Sequence, residues 1–252
     1  MTSATPRILI VDDEVDTCAN LSDIFTDLGY EVATAYDGLA ALQLAQQKHF
    51  DIALLDLRMP GMDGLELYRR LKELSAGTVA MVVTAYATSD TAKSVLSAGA
   101  WRLLPKPVNI PHLLGMVQEA LESPLVLLVD DDHDLCENLW EIFREQGFRT
   151  HLAHDVGEAG EVLRQHAFQV VLLDMKLPGG TGEEVLRVIR QTNQQARTVV
   201  ITGFPNEMES RVQQALAEGA DAVAYKPFDV GKLLTTIRDL AQASNCDAAP
   251  DA

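Results

Sequence analysis

Three residue types recur in this 252-residue chain at spacings that suit one kind of chemistry. An acidic pair, Asp12-Asp13, is followed by a lone Asp56, then Thr84, then Lys106 ahead of a proline. The set returns as Asp130-Asp131, Asp174, Thr202 and Lys226. Positions 12 and 130, 56 and 174, and 84 and 202 each differ by 118; the lysines differ by 120, so the second copy holds two extra residues between Thr202 and Gly219. A carboxylate can attack phosphorus as a nucleophile. Phosphoryl transfer then needs mainly positioning and neutralisation of the equatorial oxygens, which an ammonium, a hydroxyl and a cation can supply. Clustered carboxylates resist each other, since two unit charges about 4 Å apart repel by roughly 4 kcal/mol at an effective dielectric near 20. A hard divalent cation removes that penalty, and Mg2+, one ion per set, suits a partly hydrated site with few carboxylates.

The elements that must position these residues follow the same repeat. Cys18 and Cys136, Leu21 and Leu139, Phe25 and Phe143, Gly29 and Gly147, and Phe50 and Phe168 keep the shift of 118, so the chain is a duplication. In the first copy, residues 8–11 form a short apolar run typical of a strand buried on both faces. Cys18, Leu21, Phe25 and Leu28 then recur at three- and four-residue steps, one apolar helix face, and Gly29 is placed to end that helix. Further strand patterns lie near 32–35, 52–55, 79–83 and 102–104, with helical stretches at 38–47, 65–74, 89–97 and 110–121. Five alternating strands and helices predict an α/β fold with right-handed crossovers and a five-stranded parallel sheet in each copy. Ligands of open parallel sheets bind beyond the carboxyl ends of the strands. Asp12-Asp13 ends the first strand, Asp56 the third and Thr84 the fourth, and Lys106 follows the fifth, so all converge on one rim. The predicted domains are 1–123 and 124–245. The apolar period is lost from Ala243, and residues 246–252 are expected to be a disordered tail.

Bulk properties narrow the partners. The net charge is −17, and both copies contribute: 9 Lys/Arg against 16 Asp/Glu in 1–123, and 11 against 21 in 124–252. Such acidity opposes a nucleic-acid backbone. The longest apolar runs, such as 125–129, are strand-sized, far from the roughly 20 residues that span a bilayer. No basic segment followed by an apolar core opens the chain, and three cysteines match no zinc spacing. A reducing cytoplasm is the expected compartment.

Both copies resemble response-regulator receiver domains of two-component signalling over nearly their whole length. The segments that carry the resemblance are ILIVDDE (8–14), ALLDLRMPGMDG (53–64), VVTAY (82–86) and LLPKPV (103–108). Their counterparts are VLLVDDD (126–132), VLLDMKLPGGTG (171–182), VITGF (200–204) and AYKPF (224–228). The resemblance implies two flavodoxin-like, doubly wound (βα)5 domains with strand order 2-1-3-4-5. It implies that Asp56 and Asp174 take phosphoryl groups from a histidine kinase or a histidine phosphotransfer protein. The Mg2+ would be held by Asp13, Asp56, the carbonyl of Arg58 and, through water, Asp12. In the second copy these become Asp131, Asp174, the carbonyl of Lys176, and Asp130. Thr84 with Lys106, and Thr202 with Lys226, would meet the phosphoryl oxygens, and the Lys106–Pro107 and Lys226–Pro227 bonds would be cis.

Two departures matter. Receivers usually carry Tyr or Phe three residues before the lysine, a ring that moves with the threonine; here Leu103 and Val223 stand there. Around the acceptor, Arg58, Lys176, Tyr86 and Phe204 occupy positions that tune hydrolysis in the family, and none suits the orientation of an attacking water, so slow self-hydrolysis is expected. An aspartate-nucleophile phosphatase would show a second acid where Arg58 and Lys176 stand, so the expectation is a phosphoacceptor and not an enzyme. The alternative is a phosphate sink or a non-phosphorylated interaction module in one or both domains. Output is expected through an effector protein or self-association.

Overall fold

The computed structural model describes residues 5–85, 88–203 and 213–247. The chain divides into two compact units, Met1–Ser123 and Pro124–Ala252. In unit 1 the elements are β1 (Arg7–Val11), α1 (Val15–Asp27), β2 (Glu31–Ala35), α2 (Gly38–Gln47), β3 (Ile52–Asp56), α3 (Gly64–Leu74), β4 (Val79–Thr84), α4 (Ser89–Ser97), β5 (Arg102–Pro105) and α5 (Ile110–Glu122). The strands form one parallel sheet in the order β2-β1-β3-β4-β5.

Strand alternation divides the core into two layers. Ile8, Ile10, Ile52 and Leu54 pack with Cys18, Leu21 and Phe25 of α1 and with Leu113, Met116 and Val117 of α5. Leu9, Val11, Ala53 and Leu55 point to the opposite layer, against Ala41 of α2, Leu67 and Leu71 of α3 and Val95 of α4. A strand buried on both faces must be apolar throughout until it leaves the layers, and for β1 that point is Asp12. The helices then start where side chains can accept their free amides: Asp37 from Ala40 N, Asp63 from Leu65 N and Glu66 N, and Asn109 from His112 N.

Unit 2 repeats the plan with β6 (Leu125–Val129), α6 (His133–Glu145), β7 (Arg149–Ala153), α7 (Val156–Gln165), β8 (Val170–Asp174), β9 (Lys176–Leu177), β10 (Gly180–Thr181), α8 (Gly182–Thr192) and β11 (Arg197–Thr202). The described part of α9 (213–217), then β12 (Ala222–Tyr225) and α10 (Val230–Asp247), complete it. The parallel sheet runs β7-β6-β8-β11-β12, the same order as in unit 1.

Two features depart from the sequence-based expectation. The loop after β8 is a short antiparallel hairpin, with Gly180 opposite Leu177 and Thr181 opposite Lys176. Pro178-Gly179 closes it, Gly179 taking φ +77°, a left-handed value that favours glycine. The last helix also continues to Asp247 instead of ending where the apolar period fails. Ala241 and Ser244 are buried, and the Ser244 hydroxyl donates to the Gln195 carbonyl at 2.9 Å, a tertiary contact that no periodicity announces. The tail expected to be disordered thus begins as helix at residues 246 and 247; residues 248–252 lie outside the described residues.

Each unit also ties its third helix to the turn before its last strand. The Tyr68 hydroxyl of α3 donates to the Gly99 carbonyl at 2.8 Å. In unit 2 the Arg190 guanidinium of α8 donates to the Gly219 carbonyl.

Phe25 is fully buried between α1 and the sheet. Phe25→Ala is expected to destabilise unit 1 by about 3–5 kcal/mol through the cavity it leaves, read as a lowered denaturant midpoint.

Candidate functional site

The carboxyl ends of the strands bring the expected residues of each unit to one rim. In unit 1, Asp12, Asp56 and Thr84 are buried and Asp13 is exposed. Lys106 Nζ lies 2.7 Å from Asp12 Oδ2 and 2.9 Å from Asp56 Oδ1. The other oxygens of both acids accept backbone amides: Glu14 N to Asp12 Oδ1 at 3.0 Å and Arg58 N to Asp56 Oδ2 at 2.7 Å. In unit 2, Lys226 Nζ lies 2.6 Å from Asp130 Oδ2 and 2.8 Å from Asp174 Oδ2. The amides of Asp132 and Lys176 complete the pattern at 3.1 and 2.9 Å.

The lysines are aimed by backbone. Each donates its own amide to the carbonyl of the strand-end threonine, Lys106 to Thr84 and Lys226 to Thr202, both at 2.8 Å. The Lys106–Pro107 and Lys226–Pro227 peptides are cis, as the resemblance implies. Thr84 sits one residue beyond Val83, the register partner of Asp56, so the Asp56 carboxylate and the Thr84 hydroxyl stand on neighbouring strand ends. Thr202 stands one beyond Ile201, the partner of Asp174. Gly64 and Gly182 open the next helices under the loops that follow Asp56 and Asp174, where a Cβ would collide with the Asp56 carbonyl oxygen or lie 2.8 Å from Met175 Cα.

Electrostatics follow from burial against pairing. Burial alone would push the Lys106 ammonium down, but the hydrogen bonds and charges of Asp12 and Asp56 outweigh it and hold it above its ordinary value. Lys226 behaves alike, with Asp130 and Asp174 as partners. Asp130 moves up as well, because burial raises its carboxyl more than Lys226 and the Asp132 amide lower it. The two shifts are compatible: the ammonium gains two carboxylates, while the Asp130 side chain loses all contact with water. Burial and the charge of Asp12 push the Cys18 thiol up to about 11, and burial and Asp130 push Cys136 up to about 12, so both stay protonated.

Carboxylate oxygens of Asp130, Asp131 and Asp174 all lie within 4.8 Å of one another. An all-oxygen set with excess negative charge fits a hard divalent cation. Asp12, Asp13 and Asp56 are not drawn together as closely. The side chains of Arg58 and Lys176 are exposed at the rim, and Tyr86 and Phe204 lie outside the described residues. Leu103 packs on the α2–α4 layer and Val223 on the matching layer of unit 2, so an aliphatic side chain fills the place of the expected ring in both. Tyr225 is exposed.

Sequence reasoning missed the cysteines as part of the rim. Cys18 Sγ donates to the Asp12 carbonyl and Cys136 Sγ to the Asp130 carbonyl, each at 3.4 Å. Their identity in both copies, six residues after the first acid, was the available signal.

Both units match the response regulator receiver domain family, over residues 8–118 and 126–238. The chain belongs to this family and is a tandem of two receiver domains of the kind found in two-component response regulators. A response regulator receiver protein of Anaeromyxobacter sp. (strain Fw109-5) is 35% identical over 245 residues, 97% of this chain and 99% of its own. Sporulation initiation phosphotransferase F of Bacillus subtilis (strain 168) is 33% identical over 115 residues, 46% of this chain and 93% of its own. A solved receiver domain of Methanospirillum hungatei JF-1 is 34% identical, matches 47% of this chain and 95% of its own, and has a TM-score of 0.46. Among the described residues no helix is long and apolar enough to cross a membrane.

A lysine held above its ordinary 10.5 contributes stability that is complete below that value and lost as pH rises through the folded value. Without metal, the Lys226 ammonium is therefore expected to contribute its full share of the stability advantage of the native chain over Lys226→Met near neutrality. That share should shrink above pH 10.5, measured by denaturant melts across the alkaline range.

Proposed function

We propose that the chain is a tandem phosphoacceptor that receives phosphoryl groups on Asp56 and Asp174 from a histidine kinase or a histidine phosphotransfer protein. The observation that carries this reading is the arrangement of each buried acceptor. One carboxylate oxygen is bonded to the lysine ammonium and the other to the amide two residues on. The same rim holds a second buried acid, an exposed acid and a buried threonine.

In this reading an oxygen of Asp56 attacks phosphorus as the bond to the donor's imidazole nitrogen breaks, and the electron pair leaves with that nitrogen. The Arg58 amide keeps the carboxylate from rotating, and the Lys106 ammonium is near enough to follow charge onto the phosphoryl oxygens. Thr84, on the adjacent strand end, offers a hydroxyl to the same group. Asp174, Lys176, Lys226 and Thr202 take these roles in unit 2. Asp13 and Asp56 with the Arg58 carbonyl, and Asp12 through water, would hold Mg2+ in unit 1; Asp131, Asp174, the Lys176 carbonyl and Asp130 would hold it in unit 2. Bound there, Mg2+ supplies the positive charge that three carboxylates and a phosphoryl group require.

The chain transmits its state through protein contacts and carries out no turnover on a free substrate. The cytoplasm fits this reading, because thiols such as Cys18 and Cys136 stay reduced there.

With Mg2+ and a small acyl phosphate, intact mass is expected to show two added phosphoryl groups on the native chain. One is expected on Asp56→Asn or Asp174→Asn and none on the double variant; retained labelling of the double variant overturns the assignment.

The exposed cations Arg58 and Lys176 stand where a carboxylate or amide would orient water, so both aspartyl phosphates are expected to be long-lived. Following label after donor removal checks this, and decay within seconds refutes it.

A further inference from the structure

The carbonyl of the first acid in each pair has left the sheet but remains in the interior. The ladders of β1 end at Val11, and Asp12 N makes one more bond, to Ala35 O at 3.2 Å. The Asp12 carbonyl lies beyond this ladder, and a buried carbonyl without a donor is costly. Among the described residues its partner is the Cys18 thiol, 3.4 Å away, which lies closer to it than to its second acceptor, the Ala35 carbonyl at 3.8 Å, in a side chain with no solvent exposure. This carbonyl belongs to the peptide that joins Asp12 to Asp13. Rotating that plane would swing the Asp13 side chain away from the rim.

Unit 2 holds the same peptide twice. The Asp130 carbonyl accepts from Cys136 Sγ at 3.4 Å and from His154 Nδ1 at 3.0 Å. A carbonyl cannot donate, so Nδ1 carries the proton. The His154 ring is braced by stacking on His133, with centroids 3.8 Å apart and planes at 28°. In unit 1 the residue at the shift of 118 is Tyr36, which is exposed. The doubly held peptide belongs to the unit whose three acids lie within 4.8 Å of one another.

We propose that Cys18, and Cys136 together with His154, are positioning residues whose hydrogen bonds fix the peptide between the two acids and so aim Asp13 and Asp131 at the cation. The inference rests on the cation reading of the site given above. A thiol suits the task because it fills a core position as a small apolar group while still offering a weak donor. A purely packing role would make the same residues matter for stability alone.

The test is a Mg2+ titration of the full chain followed by amide NMR, in which signals of each unit report that unit's own dissociation constant. Cys18→Ala is expected to weaken binding in unit 1 by about three- to tenfold, and Cys18→Ser to restore it to within about twofold. Cys136→Ala alone is expected to change unit 2 by less than about twofold, and Cys136→Ala with His154→Tyr to match Cys18→Ala. In the metal-free chain, Cys18→Ala should also speed hydrogen exchange at the amides of Asp13 and Glu14, and Cys18→Ser should reverse it. A Cys18→Ala chain that is less stable but binds Mg2+ as well as the native chain overturns the proposal, as does failure of Cys18→Ser to restore binding. If the native chain binds no Mg2+, the cation reading fails by itself. The exchange experiment then decides the positioning role: faster, serine-reversible exchange supports it, and unchanged exchange overturns it.

Discussion

In each unit, one ammonium holds two carboxylates that the sheet has carried out of water. Taking such charges from solvent costs several kcal/mol per ion, and their attraction repays this only when geometry and remaining hydrogen bonds are good. Here both conditions are met by backbone: the amides of Glu14 and Arg58, and of Asp132 and Lys176, occupy the oxygens the lysines leave. The arrangement still leaves Asp130 harder to ionise than a solvated acid. A site of this kind is therefore a load on stability, and the two-sided apolar layers of each sheet offset it. That dependence explains why β1 from Ile8, and β3, β6 and β8, are apolar up to the rim acids Asp12, Asp56, Asp130 and Asp174.

Much of this was legible in the sequence because burial on two faces and burial on one leave different periods. The runs at 8–11 and 52–55 read as central strands, and Cys18, Leu21 and Phe25 read as one helix face. The strand-end positions of Asp12, Asp56 and Thr84 followed from those. Periodicity reports which face a residue shows and says nothing of its hydrogen bonds. The cysteines thus looked like packing alone, although their thiols reach the carbonyls of Asp12 and Asp130. The lysines could be placed on the rim, but not in contact with both acids at once. The end of α10 was misjudged for a related reason, since Ser244 is held by the Gln195 carbonyl, a partner 49 residues away.

The two copies share a plan and differ in restraint. Unit 2 pins the loop after Asp174 into a hairpin and draws its three acids together. Unit 1 leaves the corresponding trio more open. Neither has an aromatic side chain where the family usually carries one, and Leu103 and Val223 are packed into the helix layer. An aliphatic group in that layer has no ring to swing between a buried and an exposed setting.

The ties from the third helix to the turn before the last strand carry a lesson about descent. Gly99 and Gly219 occupy equivalent turns, with φ of +101° and +104°, and each offers its carbonyl to a side chain. The donor is Tyr68 in one copy. In the other it is Arg190, which corresponds by the shift of 118 to Lys72, one helical turn further along. Equivalent carbonyls are thus satisfied by different donors in the two copies. Comparing the halves residue by residue would score this shared contact as a loss.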